Sequence, residues 1–171
     1  MNKAIYFDMD GTLANLYEVD NWLAKLRAED PTPYMEAPVM HNMQALARRL
    51  NKLKELGYTI GIISCLSKKS SAAYDEEVTK AKAKWLTKHL SSVEFDEVHI
   101  VPYSNRKSQY AQISNGIIFD DNKFVRKEWI KSNPEGWAFT ENNILLAPCH
   151  LFNKNYKNIF VLKALKNNFD D

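Results

Sequence analysis

The sequence predicts an α/β fold with a mostly parallel sheet, and three observations predict it. Short apolar segments rich in strand formers alternate along the chain with segments whose apolar residues recur at helical spacing. Strands that alternate with helices are joined by crossovers, and crossovers set strands parallel. Two of the apolar segments also run straight into acid pairs, Asp8 with Asp10 and Asp120 with Asp121. Open parallel sheets bind ligands beyond the carboxyl ends of their strands, so these acids stand where such a fold keeps its chemistry.

Residues 4–7 are apolar and read as a buried first strand. Residues 14–42 break the pattern: they mix Tyr17, Trp22 and Tyr34 with Pro31, Pro33 and Pro38, and only 21–28 reads as helix. Met43, Leu46, Ala47, Leu50, Leu53 and Leu56 then recur at helical spacing, and Gly57 supplies the stop. Residues 58–63 read as a second buried strand ending at Ser64. A polar loop over 67–71 leads into a helix over 72–90, with Asp75, Glu76 and Glu77 near its start and lysines after them, as the helix dipole favours. Strands are predicted over 98–101, 116–119 and 137–139. A helix over 123–131 is expected to turn Phe124, Val125 and Trp129 inward, and a closing helix is expected over 157–168. Residues 140–153 show no clear period.

Composition narrows the classes. A chain of 171 residues suits one domain with room for a small insertion. Lys and Arg number 23 against 21 Asp and Glu, a formal net charge of +2, so overall charge announces neither a nucleic-acid nor a membrane partner. Cys65 and Cys149 are the only cysteines, which fits a reducing compartment better than a disulfide scaffold. No apolar run approaches the ~20 residues that span a bilayer. The start of the chain has neither the length nor the cleavage site of a secretion signal, so the sequence reads as cytoplasmic.

The strand ends carry the chemistry. Asp8 and Asp10 stand two apart, and residues i and i+2 of extended chain point the same way. Gly11 permits a tight turn away from them. Ser64 ends the second strand, Asp120 and Asp121 end the fourth, and Arg106-Lys107 lies in the loop between the third and fourth. Four carboxylates at one sheet edge repel unless a cation joins them, and hard oxygen ligands favour Mg²⁺. A lysine and a hydroxyl beside such an ion make a place for a phosphoryl group.

With those residues in order, the sequence resembles the haloacid dehalogenase superfamily of phosphohydrolases. DMDGTL, residues 8–13, is similar to the family's first motif; GIIS, ending at Ser64, to the second; Lys107 to the third; and IIFDD, ending at Asp120 and Asp121, to the paired-acid form of the fourth. The resemblance implies a Rossmann-like core over 1–13 and 43–171, with 14–42 as a small helical cap. It implies that Asp8 is a nucleophile forming an aspartyl-phosphate, and that Asp10 is the acid and base, with its backbone carbonyl reaching Mg²⁺. It implies that Ser64 and Lys107 hold the phosphoryl oxygens, and that Asp120 and Asp121 complete the metal site with Asp8. The acid at position 10 favours phosphoester over carbon–halogen cleavage. The small cap and the paired-acid ending look similar to the 5′(3′)-deoxyribonucleotidase group, which implies a nucleoside monophosphate as partner, with Tyr17 and Trp22 of the cap available to stack on a base.

Plainer readings stand beside these. Lys107 competes with Arg106 and Lys68 for the cation role. Asp121 either joins the metal or caps the next helix, and Trp22 either stacks on substrate or packs the cap. Cys65 lacks the arginine six residues on that a cysteine phosphatase needs, position 71 being serine. The histidines show no zinc spacing. The same catalytic set also suits a sugar phosphate or a nucleic-acid end, and a phosphate-binding module without turnover is the remaining class.

Overall fold

The computed structural model describes residues 3–144, and the expected helix over 157–168 lies outside them. Strands β1 (Lys3–Phe7), β2 (Tyr58–Cys65), β3 (Glu97–Val101), β4 (Ile117–Phe119) and β5 (Trp137–Phe139) form one sheet in the order β3-β2-β1-β4-β5. Every pairing is parallel, with Tyr6 opposite Gly61 on one side and Ile118 on the other. The chain moves outward from β1 through β2 to β3, then returns across the sheet to β4 and continues outward to β5. The direction of winding therefore reverses beside β1, and the crevice at such a switch is where doubly wound sheets bind ligands.

Alternation along β1 divides the core between the two faces. Ile5 and Phe7 join the larger cluster with Leu46, Leu50 and Leu53 of helix α3 (Met43–Glu55). Ala4 and Tyr6 face the other way, onto Ile118 of β4 and Trp129 of helix α5 (Lys123–Ser132). Trp85 and Leu86 of helix α4 (Ala72–His89) complete the first layer. Asn42, Ser71 and Asn122 cap α3, α4 and α5, each accepting a backbone N–H of the first turn. Among the described residues no helix is long and apolar enough to cross a membrane.

Residues 14–42 differ from expectation in one respect. Helix α1 (Trp22–Arg27) stands where the pattern put it, but a second helix, α2 (Thr32–Glu36), follows in a stretch that its prolines marked as irregular. Pro33 sits in the first turn of α2, where a missing N–H costs nothing and the fixed φ suits a helix start. The two ends of the segment are stitched together: Asn15 N–H donates to the Pro38 carbonyl at 2.7 Å, and Met40 N–H to that of Leu13 at 3.0 Å. Its outer part is fastened to α4 and to the loop before it. Glu29 accepts from the Ser71 backbone and hydroxyl, Tyr34 Oη shares a 2.6 Å bond with Ser67 Oγ, and Trp85 Nε1 donates to the Ala37 carbonyl.

The expected inward face of α5 needs one correction. Val125 and Trp129 do turn to the sheet, but Phe124 is 80% exposed. On this helix Trp129 is fully buried and Val125, four residues before it on the same face, partly so, and Phe124 falls outside that face.

Candidate active site

The carboxyl ends of β1 and β4 lie side by side, because Asp8 N–H donates to the Phe119 carbonyl at 2.9 Å. Asp8 leaves β1 there and Asp120 leaves β4 there. After Asp8 the chain folds back on itself, with the amides of Thr12, Leu13 and Ala14 all reaching the Met9 carbonyl. Gly11 makes that turn at φ +74°, in the left-handed region, and a Cβ on it would collide with the Asp121 carboxylate and the Tyr17 ring. Thr12 is fully buried, and its Oγ1 accepts the Asp121 N–H at 3.1 Å, fixing the turn to the second acid pair. Arg126 of α5 donates to the carbonyls of Asp120 and Asp121 at 2.7 and 2.8 Å.

These constraints converge three carboxylates. Oxygens of Asp8, Asp120 and Asp121 lie within 4.8 Å of one another. Lys107 is buried with them, its Nζ 2.7 Å from Asp8 Oδ1 and 2.7 Å from Asp120 Oδ2. The angles allow a hydrogen bond only to Asp120, so Asp8 Oδ1 is buried with an ion pair but no hydrogen bond. Burial alone would lower the Lys107 pKa, yet the charges of Asp8 and Asp120 outweigh it and hold the ammonium above its ordinary value. The carboxylates move the other way. Burial, with Asp8 adding to it against the pull of Lys107, pushes Asp120 up to about 7, and burial followed by repulsion from Asp8 pushes Asp121 up to about 6.

With all three acids ionised, three carboxylates against one lysine leave two negative charges in excess. That excess, the unbonded Asp8 Oδ1 and an all-oxygen donor set fit a hard dication such as Mg²⁺. Asp121 belongs to this cluster and does not cap α5, which is the work of Asn122. Arg106 and Lys68 are exposed, so Lys107 is the cation of the three that reaches the carboxylates.

Asp10 stands apart from the cluster. Its Oδ2 accepts from Lys82 Nζ at 2.6 Å, and its side chain is 21% exposed. Burial raises its pKa, Lys82 opposes that, and Asp8 adds to it. The expectation for Ser64 changes. Ser64 is fully buried, its Oγ accepts from Lys82 at 2.8 Å, and it is Cys65 that lines the cavity. The pleat explains this: β2 continues to Cys65, and successive side chains take opposite faces, so only one of the two can look toward Asp8. Burial raises the Cys65 pKa, with Lys107 lowering it, so its sulfur enters the site as a neutral thiol.

A cavity of about 800 Å³ opens over these groups. Asp8, Asp10, Lys107, Asp120 and Asp121 form its floor, and Leu16, Tyr17, Trp22, Leu23, Leu26 and Tyr34 of the 14–42 segment form an apolar wall. Tyr17 and Trp22 meet edge to face at 5.2 Å, and the Tyr17 hydroxyl lies 3.4 Å from Asp121 Oδ2. Lys82 is the residue that sequence reasoning missed. It belongs to no motif, and its neighbours Lys80, Lys84 and Lys88 suggest a solvated face. Its spacing from Val78 and Trp85, both buried, is the signal that could have found it.

No family model and no curated protein matches the chain by sequence. Among solved structures it is similar to D,D-heptose 1,7-bisphosphate phosphatase from Burkholderia thailandensis, with a TM-score of 0.56 and 11% identity over 90% of this chain and 100% of that one. It is also matched to the HAD domain of effector protein Lem4 from Legionella pneumophila, with a TM-score of 0.40 and 13% identity over 81% and 84% of the two chains, too distant to carry weight. Sheet order and the first likeness together define a doubly wound, all-parallel α/β fold like that of the heptose bisphosphate phosphatase.

Proposed function

We propose that the protein is a Mg²⁺-dependent phosphomonoesterase working through an aspartyl-phosphate on Asp8. The observation that supports this most is the convergence of Asp8, Asp120 and Asp121 around buried Lys107 at the switch point of the sheet. Asp8, Asp120 and Asp121 are the residues that would hold Mg²⁺, which when bound neutralises phosphoryl charge and the repulsion among its ligands. Asp8 attacks phosphorus with a carboxylate oxygen. Lys107 offsets the charge on the phosphoryl oxygens in a buried setting, where a fixed cation acts strongly. Asp10 gives its proton to the leaving oxygen, then takes one from the water that cleaves the aspartyl-phosphate. The Cys65 thiol occupies the strand-end position where a hydroxyl was expected.

Residues 14–42 act in this reading as a cap on a core of 1–13 and 43–171. Its wall of Tyr17, Trp22 and Tyr34 supports a nucleoside monophosphate as substrate, since an aromatic face accepts any base. A sugar phosphate is the rival, given that the similar solved structure is a heptose bisphosphate phosphatase. A phosphate-release screen with Mg²⁺ over nucleoside monophosphates, sugar phosphates and 3′-phosphorylated oligonucleotides tests both. The expected result is release that is fastest from nucleoside monophosphates, needs Mg²⁺, and is lost in Asp8→Asn. Release unaffected by Asp8→Asn would sink the mechanism, and no release from any substrate would leave a binding module.

A further inference from the structure

Lys82 is fully buried in an ion pair with Asp10, and every one of its donors is used. Its Nζ reaches Asp10 Oδ2 at 2.6 Å, Ser64 Oγ at 2.8 Å and the Cys65 carbonyl at 2.7 Å. An ammonium has three N–H bonds, and three acceptors on two different elements fix its position. The Tyr34 ring of α2 lies 4.9 Å from the same nitrogen. Helix α4 delivers the residue from its apolar face, in line with Val78 and Trp85. A buried charge is seldom a route to stability, because a well-packed apolar residue of similar volume does as well or better. The arrangement calls for another reason.

Asp10 supplies one. Lys82 holds its Oδ2, and among the described residues nothing donates to its Oδ1. We propose that Lys82 is a positioning residue for proton transfer: it grips the Asp10 carboxyl by Oδ2 and so presents Oδ1 to the leaving oxygen. This rests on the phosphatase reading above. In the step concerned, an Asp8 oxygen bonds to phosphorus, the bond from phosphorus to the leaving oxygen breaks, and the proton on Asp10 Oδ1 passes to that oxygen. The contact with Tyr34 ties the same orientation to the 14–42 segment, so proton donor and cap wall share one anchor.

The test separates positioning from packing by the leaving group. An alkyl alcohol needs the proton to depart, whereas p-nitrophenolate departs without it. Leaving-group release is followed in the first turnover with both phosphoesters for the wild type, Lys82→Met and Ser64→Ala. Lys82→Met is expected to slow the alkyl phosphate by ~10- to 100-fold, within the range general acid catalysis supplies, with a small effect on p-nitrophenyl phosphate and an unchanged KM for both. Ser64→Ala removes one acceptor and no charge, and is expected to show the same selectivity more weakly; it serves alone should Lys82→Met not fold. Equal losses on both substrates, or a loss confined to KM, overturn the assignment and make Lys82 structural. If the wild type releases neither leaving group, the phosphatase reading falls and this assignment with it. Release with unselective loss overturns the Lys82 role alone.

Discussion

Magnesium should stabilise the folded chain, and the gain should grow with pH. Asp120 is pushed up to about 7 and Asp121 up to about 6, in each case first by burial and then by Asp8 among the groups that raise it. An unfolded aspartate titrates near ~3.9. Between about pH 4 and 7 the native chain therefore holds a proton on Asp120 that the unfolded chain has released. Stability from this source is complete below the lower value and is lost as pH rises through the upper one, by on the order of 4 kcal/mol for Asp120. The ion must displace the same proton, so binding weakens in acid. At pH 5 a group titrating near 7 is almost wholly protonated, which weakens apparent affinity by ~100-fold, and Asp121, pushed up to about 6, weakens it ~10-fold more. Magnesium at ~100 times its Kd at pH 8 adds ~2.7 kcal/mol, and the same concentration at pH 5 adds less than ~0.1 kcal/mol. For a chain of this length that is a Tm rise of ~5–10 °C at pH 8 and under ~1 °C at pH 5. Thermal unfolding by circular dichroism, with Mg²⁺ against EDTA at matched ionic strength, reads it, and Asp120→Asn should lose most of the pH 8 shift. A shift independent of pH, larger at pH 5, or intact in Asp120→Asn would refute the carboxylate site.

Three further outcomes are expected. Gly11→Ala places a methyl against the Asp121 carboxylate and the Tyr17 ring on a backbone at φ +74°, so it should destabilise by ~1–3 kcal/mol and weaken Mg²⁺ binding measured by calorimetry; wild-type affinity in a folded variant would separate the turn from the ion. Asp10→Asn should still bind Mg²⁺ but lower kcat by ~10²- to 10⁴-fold, and unchanged steady-state rates would remove it from proton transfer. Trp22→Ala opens the cap wall beside Tyr17 and should raise KM for nucleoside monophosphates more than for a small phosphoester; equal effects would make Trp22 a packing residue.

What could be read from the sequence followed from local physics. Apolar strands ending in acids are legible because hydropathy and charge change from one residue to the next, as at Phe7-Asp8 and Phe119-Asp120. The expected strands fall within a residue or so of the observed ones. Where a side chain's partner lies far along the chain, the sequence is silent. Asp10 and Lys82 are 72 residues apart and meet only in the folded chain. Ser64 and Cys65 pose a different problem, since both are small and adjacent. A one-residue error in where β2 ends exchanges the face that looks at Asp8 for the one that looks at α4. Phe124 shows the converse, an apolar residue beside a buried stripe but not on it.

Helix α4 joins the two halves of the problem. Its first turn accepts the 14–42 segment through Ser71 and Tyr74, whose hydroxyl donates to the Asp30 carbonyl at 3.1 Å. Three turns on, Trp85 holds the returning chain at Ala37, and between them Lys82 grips Asp10 beneath the Tyr34 ring. A shift of α1 and α2 against the core would therefore strain the setting of Asp10, and a change in Asp10 would be felt at Tyr34. In the proposed mechanism, substrate fit at the aromatic wall and proton transfer at the floor would be in mechanical contact through one helix. Substitutions at Tyr34 should consequently couple with those at Lys82 in a double-mutant cycle, whereas substitutions at Leu23, which lines the same wall and makes no contact with Lys82 among those described, should add independently.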